Sequence, residues 1–469
     1  MFSTAAIVIS LLCLMFFAYR GYSVLLLAPL MATLAVLLSG DIAMMMPIYT
    51  ETFMSALGGY LLKFFPIFLL GALFGQLMAD SGAASTIANW ITRVLGERHA
   101  ILTVVLACAL LTYGGVSLFV VAFAIYPIAR ELFRAADIPK RLIPATIALG
   151  SFTFTMTALP GTPAIQNAIP IPYYGTNAFA APGLGIIAAI IMFSVVWWWL
   201  NNRASKAKAA GEGYGAHNED GEVSLDPVES TGAARDAMPF WLAIAPLVLV
   251  IGVNALFTYG IFPNVDLSYL NNEFPDLEVA NQTGLWAIII ALLVSCAWLI
   301  VTCLNRWHNL QDTLNRGATG SMLPIFNTAS EVGYGAVIAS LAGFMIIRDT
   351  VLGIAPGNPL ISEAVAMTTL AGITGSSSGG LSIALETLGS DYLQLAQQAG
   401  ISPELMHRVA VIAAGGFDTL PHCGAVITLL SICRLTHRQS YLNIAMVTIA
   451  IPMLAVISII TLGTLFGSF

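Results

Sequence analysis

The sequence predicts an all-α polytopic membrane protein built from two inverted repeats, each holding a re-entrant hairpin and a broken transmembrane helix. Three observations predict it. The composition is strongly apolar, long apolar segments recur in two sets of six, and two matched pairs of helix-breaking motifs stand at similar spacing in the two halves.

Composition identifies the solvent. Of 469 residues, 58% are hydrophobic and 9% charged, with a mean hydropathy of +0.85, where a soluble chain carries about 25% charge. So little polar surface cannot cover so much apolar surface in water, so lipid must face much of the chain. The formal net charge of −7 gathers largely in the polar stretches 212–230 and 266–278, and no basic tract is present to hold nucleic acid. Cys13, Cys108, Cys296, Cys303, Cys423 and Cys433 lack C-x-x-C spacing and read as small core residues, not as metal or redox ligands. The chain turns apolar at once with no basic n-region, so 4–19 reads as a retained first span.

Segments able to cross about 30 Å of hydrocarbon lie at 4–19, 22–39, 60–79, 100–128, 142–168 and 182–200 in the first half. The second half has 239–260, 284–304, 318–347, 360–388, 409–433 and 441–466. Residues 1–200 and 239–469 are thus two transmembrane repeats. The polar, Gly- and Ala-rich stretch 201–238 between them has no apolar period and reads as a flexible cytoplasmic linker.

Lys and Arg in short loops set the orientation. Arg20, Arg93, Arg98, Arg130, Arg134, Lys140, Arg141, Arg203, Lys206 and Lys208 mark inside loops of the first half; Arg306, Arg316, Arg434 and Arg438 mark those of the second. Loops 80–99 and 129–141 are both basic, yet only segment 100–128 separates them. A hairpin that enters from the cytoplasm and turns at Tyr113-Gly114-Gly115 satisfies both; one long tilted helix is the alternative. Re-entrant backbone is tolerated only where it is buried in protein or lines a wet cavity, so the hairpin marks a candidate site.

The halves match at their breaks. G-G-V-S-L-F-V at 114–120 resembles G-G-L-S-I-A-L at 379–385, and T-A-L-P-G-T-P-A-I at 157–165 resembles D-T-L-P-H-C-G-A-V at 418–426. Gly114 to Pro160 is 46 residues and Gly379 to Pro421 is 42. The basic loops give the two sets opposite senses, the pattern of inverted repeats with discontinuous helices. Unwinding in lipid is costly, but it aims half-helix N-termini and their free N–H groups at an anion. Gly permits the dihedrals, Pro ends the ladder, and Ser and Thr add hydroxyls without burying a charge. The richest such stretch is 374–380, where Ser376, Ser377 and Ser378 stand among glycines; a flexible outside loop is its bland reading.

Ionisable residues in apolar segments are the other lead. Asp418 begins the second Leu-Pro break and is followed by His422, a pair able to relay a proton; capping the next half-helix is a compatible role for Asp418. Lys63 and Glu331 also lie in apolar segments, and Glu386 lies near the mouth of the second hairpin. Walker A, H-E-x-x-H and G-x-S-x-G patterns are absent, which counts against an ATP-driven pump, a zinc protease and an α/β-hydrolase. The chain reads as a transporter, not an enzyme.

At these breaks, TYGGVSLFVVAFAIYP, TMTALPGTPAIQNAIP, TGSSSGG and GGFDTLPHCG resemble the gluconate:proton symporter (gluconate permease) family of the ion transporter superfamily, closest to its D-β-hydroxybutyrate permease-like branch. The resemblance covers the chain apart from the linker. It implies the inverted-repeat fold, a bacterial inner-membrane location, no cofactor beyond a coupling proton or sodium ion, and a homodimer. Where gluconate permeases have Pro-Pro-His-Pro-Gly, this sequence has Leu159-Pro160-Gly161-Thr162-Pro163; where they have Asn-Asp-Ser-Gly-Phe-Trp, it has Phe417-Asp418-Thr419-Leu420-Pro421. Such a less polar site fits a hydroxy-monocarboxylate with few hydroxyls, 3-hydroxybutyrate above gluconate. The expected substrate-binding residues are Tyr113, Gly114, Gly115, Ser117, Thr162, Asn167, Ser376, Ser377, Ser378 and Thr419, with Asp418 and His422 coupling the proton. Sodium coupling, gluconate and a passive anion channel are the rival readings.

Overall fold

The computed structural model describes residues 2–215, 238–274 and 277–469, and among them every regular element is helical. In the first half α1 (Phe2–Tyr19) packs on α2 (Val24–Ser39). A long α3 (Ile42–Asp80) follows, with a π segment at Ile48–Phe53. After the short α4 (Ala83–Leu95) come α5 (Ala100–Tyr113) and α6 (Leu118–Ala135), packed against each other. The next stretch is broken into α7 (Ile143–Ser151), α8 (Phe154–Thr157), α9 (Ile165–Ala168) and α10 (Ile171–Tyr174), and α11 (Pro182–Ala209) closes the half.

The second half runs through the same order. The spans α12 (Phe240–Asn264) and α13 (Val279–Thr302) pack together and lead to a long α14 (Leu310–Ser340). Short α15 (Phe344–Leu352) turns off α14 at 99°. The hairpin arms α16 (Pro359–Thr374) and α17 (Ser377–Ala399) come next, then the broken pair α18 (Pro403–Phe417) and α19 (Gly424–Ile432), then α20 (His437–Phe466). Among the described residues five helices, α3, α11, α12, α13 and α20, are long and apolar enough to cross a membrane, and α14 with α15 makes a sixth span if taken as one.

Several apolar segments are therefore not straight spans. Segment 100–128 is a hairpin and not one tilted helix: α5 has 14 residues, about 21 Å at 1.5 Å per residue, short of about 30 Å of hydrocarbon. Its turn is a Schellman cap, with Gly115 N–H on Thr112 O at 2.9 Å, Val116 N–H on Leu111 O at 3.1 Å, and Gly115 at φ +97°. Gly375, at φ +67°, ends α16 in the same left-handed way. Segment 318–347 is bent at 341–343, and α11 continues beyond 200 into the stretch read as linker. Residues 216–237 of that stretch lie outside the described residues.

The halves interlock. The long helices α3 and α14 form the central pair, with Gly317 seated against Leu73 so that the backbones approach closely. Asp80 ties their ends, accepting from Arg316 Nη2 at 2.9 Å and Thr313 Oγ1 at 2.6 Å. Each long helix carries the other half's opening pair: α2 packs on α14, and α13 packs on α3. Asn327 Oδ1 accepts from Leu25 N–H at 3.2 Å, and Ser10 Oγ lies 2.8 Å from Tyr334 Oη. The amphipathic α4 buries Ala84, Ile87, Ala88 and Ile91, and its Trp90 stacks on Phe240 of α12 with centroids 4.1 Å apart.

Candidate substrate site

Four irregular stretches sit together between the helices. The first hairpin turn meets the first break, where Tyr113 Oη donates to Pro160 O at 2.7 Å and a Cβ at Gly115 would lie 2.8 Å from Pro163 Cγ. The second hairpin turn meets the second break in the same way: a Cβ at Gly375 would lie 3.0 Å from His422 Cδ2, and Gly372 faces Phe417 and Leu420. A hydrogen bond also joins the first break to the second hairpin. Gln166 Nε2, from the first break, donates to Ser377 Oγ of the second hairpin at 3.1 Å.

The second hairpin gathers hydroxyls at a helix N-terminus, with Ser377 buried and Ser376 and Ser378 half-buried. Ser376 caps α17, its Oγ accepting from Gly379 N–H at 3.0 Å. Ser378 Oγ lies 3.3 Å from Ser376 Oγ and 3.4 Å from Thr328 Oγ1 of α14. Asp418, half-buried in the second break, lies beside Ser377, and its Oδ1 has no hydrogen-bond partner among the described residues. The N-terminus of a 23-residue helix, three hydroxyls and the Asp418 carboxyl thus lie close together, with Gln166 of the first half bonded to Ser377. Ser117 opens α6 in the first half and packs on Gly75 of α3.

The remaining expected residues are engaged elsewhere. Thr162 is fully buried and its Oγ1 accepts from Ala164 N–H at 3.3 Å. Gly114 is pressed against Leu247. Thr419 is buried, and its Oγ1 lies 2.6 Å from Thr448 Oγ1 of α20. Asn167 spends its amide inside the protein: Nδ2 donates to Thr162 O at 3.0 Å and Ala178 O at 2.8 Å, and Oδ1 accepts from Arg408 Nη1 at 3.2 Å. The paired glycine motifs also part company. Gly114-Gly115 form a turn, whereas Gly379-Gly380 lie in the first turn of α17, where Gly380 lets α16 approach at Ala371 and Gly379 leaves room for Glu331. The true counterpart of Gly115 is Gly375.

Two buried clusters escaped the sequence reading. Arg408 of α18 is wholly buried and spans the halves, with Nε and Nη2 donating to Ala180 O at 3.0 and 2.7 Å and Nη1 to Thr157 O at 3.0 Å. It supplies donors to carbonyls that the breaks around α8 leave without helical partners. Its neighbour His407 lies 2.6 Å from Thr176 Oγ1. In the second cluster Tyr174 Oη donates to Glu363 Oε1 at 2.5 Å, and Glu363 is fully buried on α16. Arg408 stands one residue outside segment 409–433, and Glu363 lies inside 360–388; both were visible as ionisable residues at apolar positions. No three His, Cys, Asp or Glu side chains converge among the described residues as a metal site would require.

A family model described as GntP family permease matches residues 1–325. The chain belongs to the GntP permease family. It is 45% identical over 472 residues, covering 98% of both chains, to an uncharacterized transporter, YxjC, of Bacillus subtilis (strain 168). It is also 24% identical over 363 residues to an uncharacterized transporter of Haemophilus influenzae (strain ATCC 51907 / DSM 11121 / KW20 / Rd), covering 76% of this chain and 74% of that one. The resemblance to the gluconate permease family read from the break motifs is thereby borne out. This GntP family permease is a multi-pass membrane transporter and not an enzyme.

Proposed function

We propose that this permease imports a small organic monocarboxylate across the bacterial inner membrane by symport with a proton, with 3-hydroxybutyrate or a similar hydroxy acid as substrate. The observation that carries the reading is the bond from Gln166 to Ser377, which brings the first break to the N-terminus of α17 beside Asp418. Backbone N–H groups and the hydroxyls of Ser376, Ser377 and Ser378 hold the carboxylate. Ser117 contributes from the first hairpin, and Asp418 with His422 moves the proton. The two halves are inverted relative to each other, and rocking of one against the other exposes the space between them alternately.

Vesicles containing the purified protein test substrate and ion together. Labelled 3-hydroxybutyrate, gluconate and lactate are offered under separate pH and sodium gradients. Accumulation of 3-hydroxybutyrate driven by the pH gradient is the expected result. Accumulation of gluconate alone, or a requirement for sodium, replaces those parts of the reading; flux indifferent to both gradients makes the protein a channel.

A further inference from the structure

A second carboxyl lies against the first turn of α17 at the proposed anion site. Glu331 sits about two-thirds of the way along α14, 2% exposed, and its Oε2 has no hydrogen-bond partner among the described residues. It lies against Gly379 in the first turn of α17, so closely that a Cβ at that position would fall on the carboxylate oxygen. The Gly379 N–H itself is taken by Ser376 Oγ. Glu331 therefore stands at the positive end of the helix dipole without a hydrogen bond that would hold it there.

Among the described residues no cation pairs with Glu331. Tyr60 of α3, which lies beside Ser382 of α17, and Cys423 of the second break are uncharged neighbours within reach of its field. Asp418 stands beyond Ser377. Lys63 and Glu386 both engage Tyr173, Lys63 Nζ lying 5.1 Å from the ring centroid and the hydroxyl donating to Glu386 at 2.6 Å. Among the described residues of the other packed elements, α2 has no ionisable residue, Glu51 of Ile48–Phe53 and Asp349 of α15 are acidic, and Arg348 of α15 is paired with Asp391. A buried carboxylate in this position needs a proton or a partner, since an isolated buried charge is prohibitively costly.

We propose that the proton moved by Asp418 with His422 comes to rest on Glu331 while substrate is bound, and that the carboxylates of Glu331 and of the substrate take turns at the N-terminus of α17. The inference rests on the proposed proton-coupled carboxylate symport. With Glu331 ionised, its charge occupies the helix end and repels a second anion from the same hydroxyls. When Glu331 takes a proton, the helix end is released to the substrate. Proton and substrate then travel together, and on the low-proton side Glu331 loses its proton and displaces the anion. Mutual exclusion at one helix terminus is thus a coupling device that needs no direct bond between proton and substrate.

The test compares wild type with Glu331→Gln in vesicles. The amide stands for the protonated acid, so exchange of labelled for unlabelled 3-hydroxybutyrate without a gradient should persist, while pH-driven accumulation should fall about tenfold or more. The apparent affinity for 3-hydroxybutyrate should weaken with rising pH in the wild type and lose that dependence in the variant. Glu331→Asp serves if the amide variant fails to fold, and it should keep accumulation with a displaced pH profile. An infrared titration of the reconstituted protein adds a readout independent of substrate: one protonated-carboxyl band should vanish in Glu331→Gln. Undiminished accumulation by Glu331→Gln, or an unchanged infrared titration, overturns the proposal. If wild type moves none of the three acids, the symport reading fails, while the infrared arm still decides whether Glu331 exchanges a proton.

Discussion

Replacing Arg408 with Met removes every donor that this side chain sends across the halves while keeping much of its length. Two backbone carbonyls, Thr157 O and Ala180 O, then lose their side-chain donor in a fully buried position, and Asn167 Oδ1 keeps only the His407 ring nitrogen at 3.3 Å. An orphaned buried acceptor costs about 1–3 kcal/mol. Bonds within membrane proteins average nearer about 0.6 kcal/mol each. Four bonds at the lower value and two orphaned carbonyls at the higher bracket the loss at about 2–6 kcal/mol. The assay is the thermal midpoint of the monodisperse fraction in detergent, which should fall clearly for Arg408→Met. Arg408→Lys should recover only part of it, because a single ammonium cannot reproduce the planar fork that reaches both carbonyls. A midpoint for Arg408→Met equal to wild type would refute the view that this guanidinium holds the first break in shape.

Gly115→Ala forces a side chain onto φ +97° and against Pro163, so it should lose about 1–2 kcal/mol from backbone strain alone and lower the thermal midpoint, while Gly58→Ala, in open helix, should be neutral or stabilising. An equal response of the two variants would contradict the cap at Gly115. Tyr174→Phe strips Glu363 of its donor and should cost about 1–3 kcal/mol; combining it with Glu363→Met should restore much of that loss. Strictly additive losses in that double-mutant cycle would show that the pair does not act together.

The breaks were legible because their chemistry is local. Gly, Pro and Ser inside a run of Leu, Ile and Val announce a backbone that cannot stay helical, and the turns at Gly115 and Gly375 fall where that argument puts them. What a glycine is for was less legible. The matched Gly-Gly pairs look alike in sequence, yet one makes a turn and the other admits Glu331 and Ala371, because the same missing Cβ serves positive φ and close approach alike. Asn167 shows a similar limit: an amide near a break suits substrate or protein equally, and only its partners reveal that Arg408, Thr162 and Ala178 occupy it. Arg408 itself hid at the margin of an apolar segment, where a cation ordinarily snorkels to the surface. Long-range pairing such as Gln166 with Ser377, 211 positions apart, leaves no local pattern at all.

The crossed packing of the long helices has a consequence for how the chain is made. Helix α2 ends at Ser39 and its partner α14 begins at Leu310, so at about 5–20 residues per second the ribosome leaves that face uncovered for roughly 15–50 s. During that interval the first half sits in the bilayer with its contact surface toward lipid or an insertion factor. The final structure then assembles when α13 and α14 arrive and thread both pairs shut. A gene split within 216–237 should therefore yield two fragments that persist only when synthesised in the same cell.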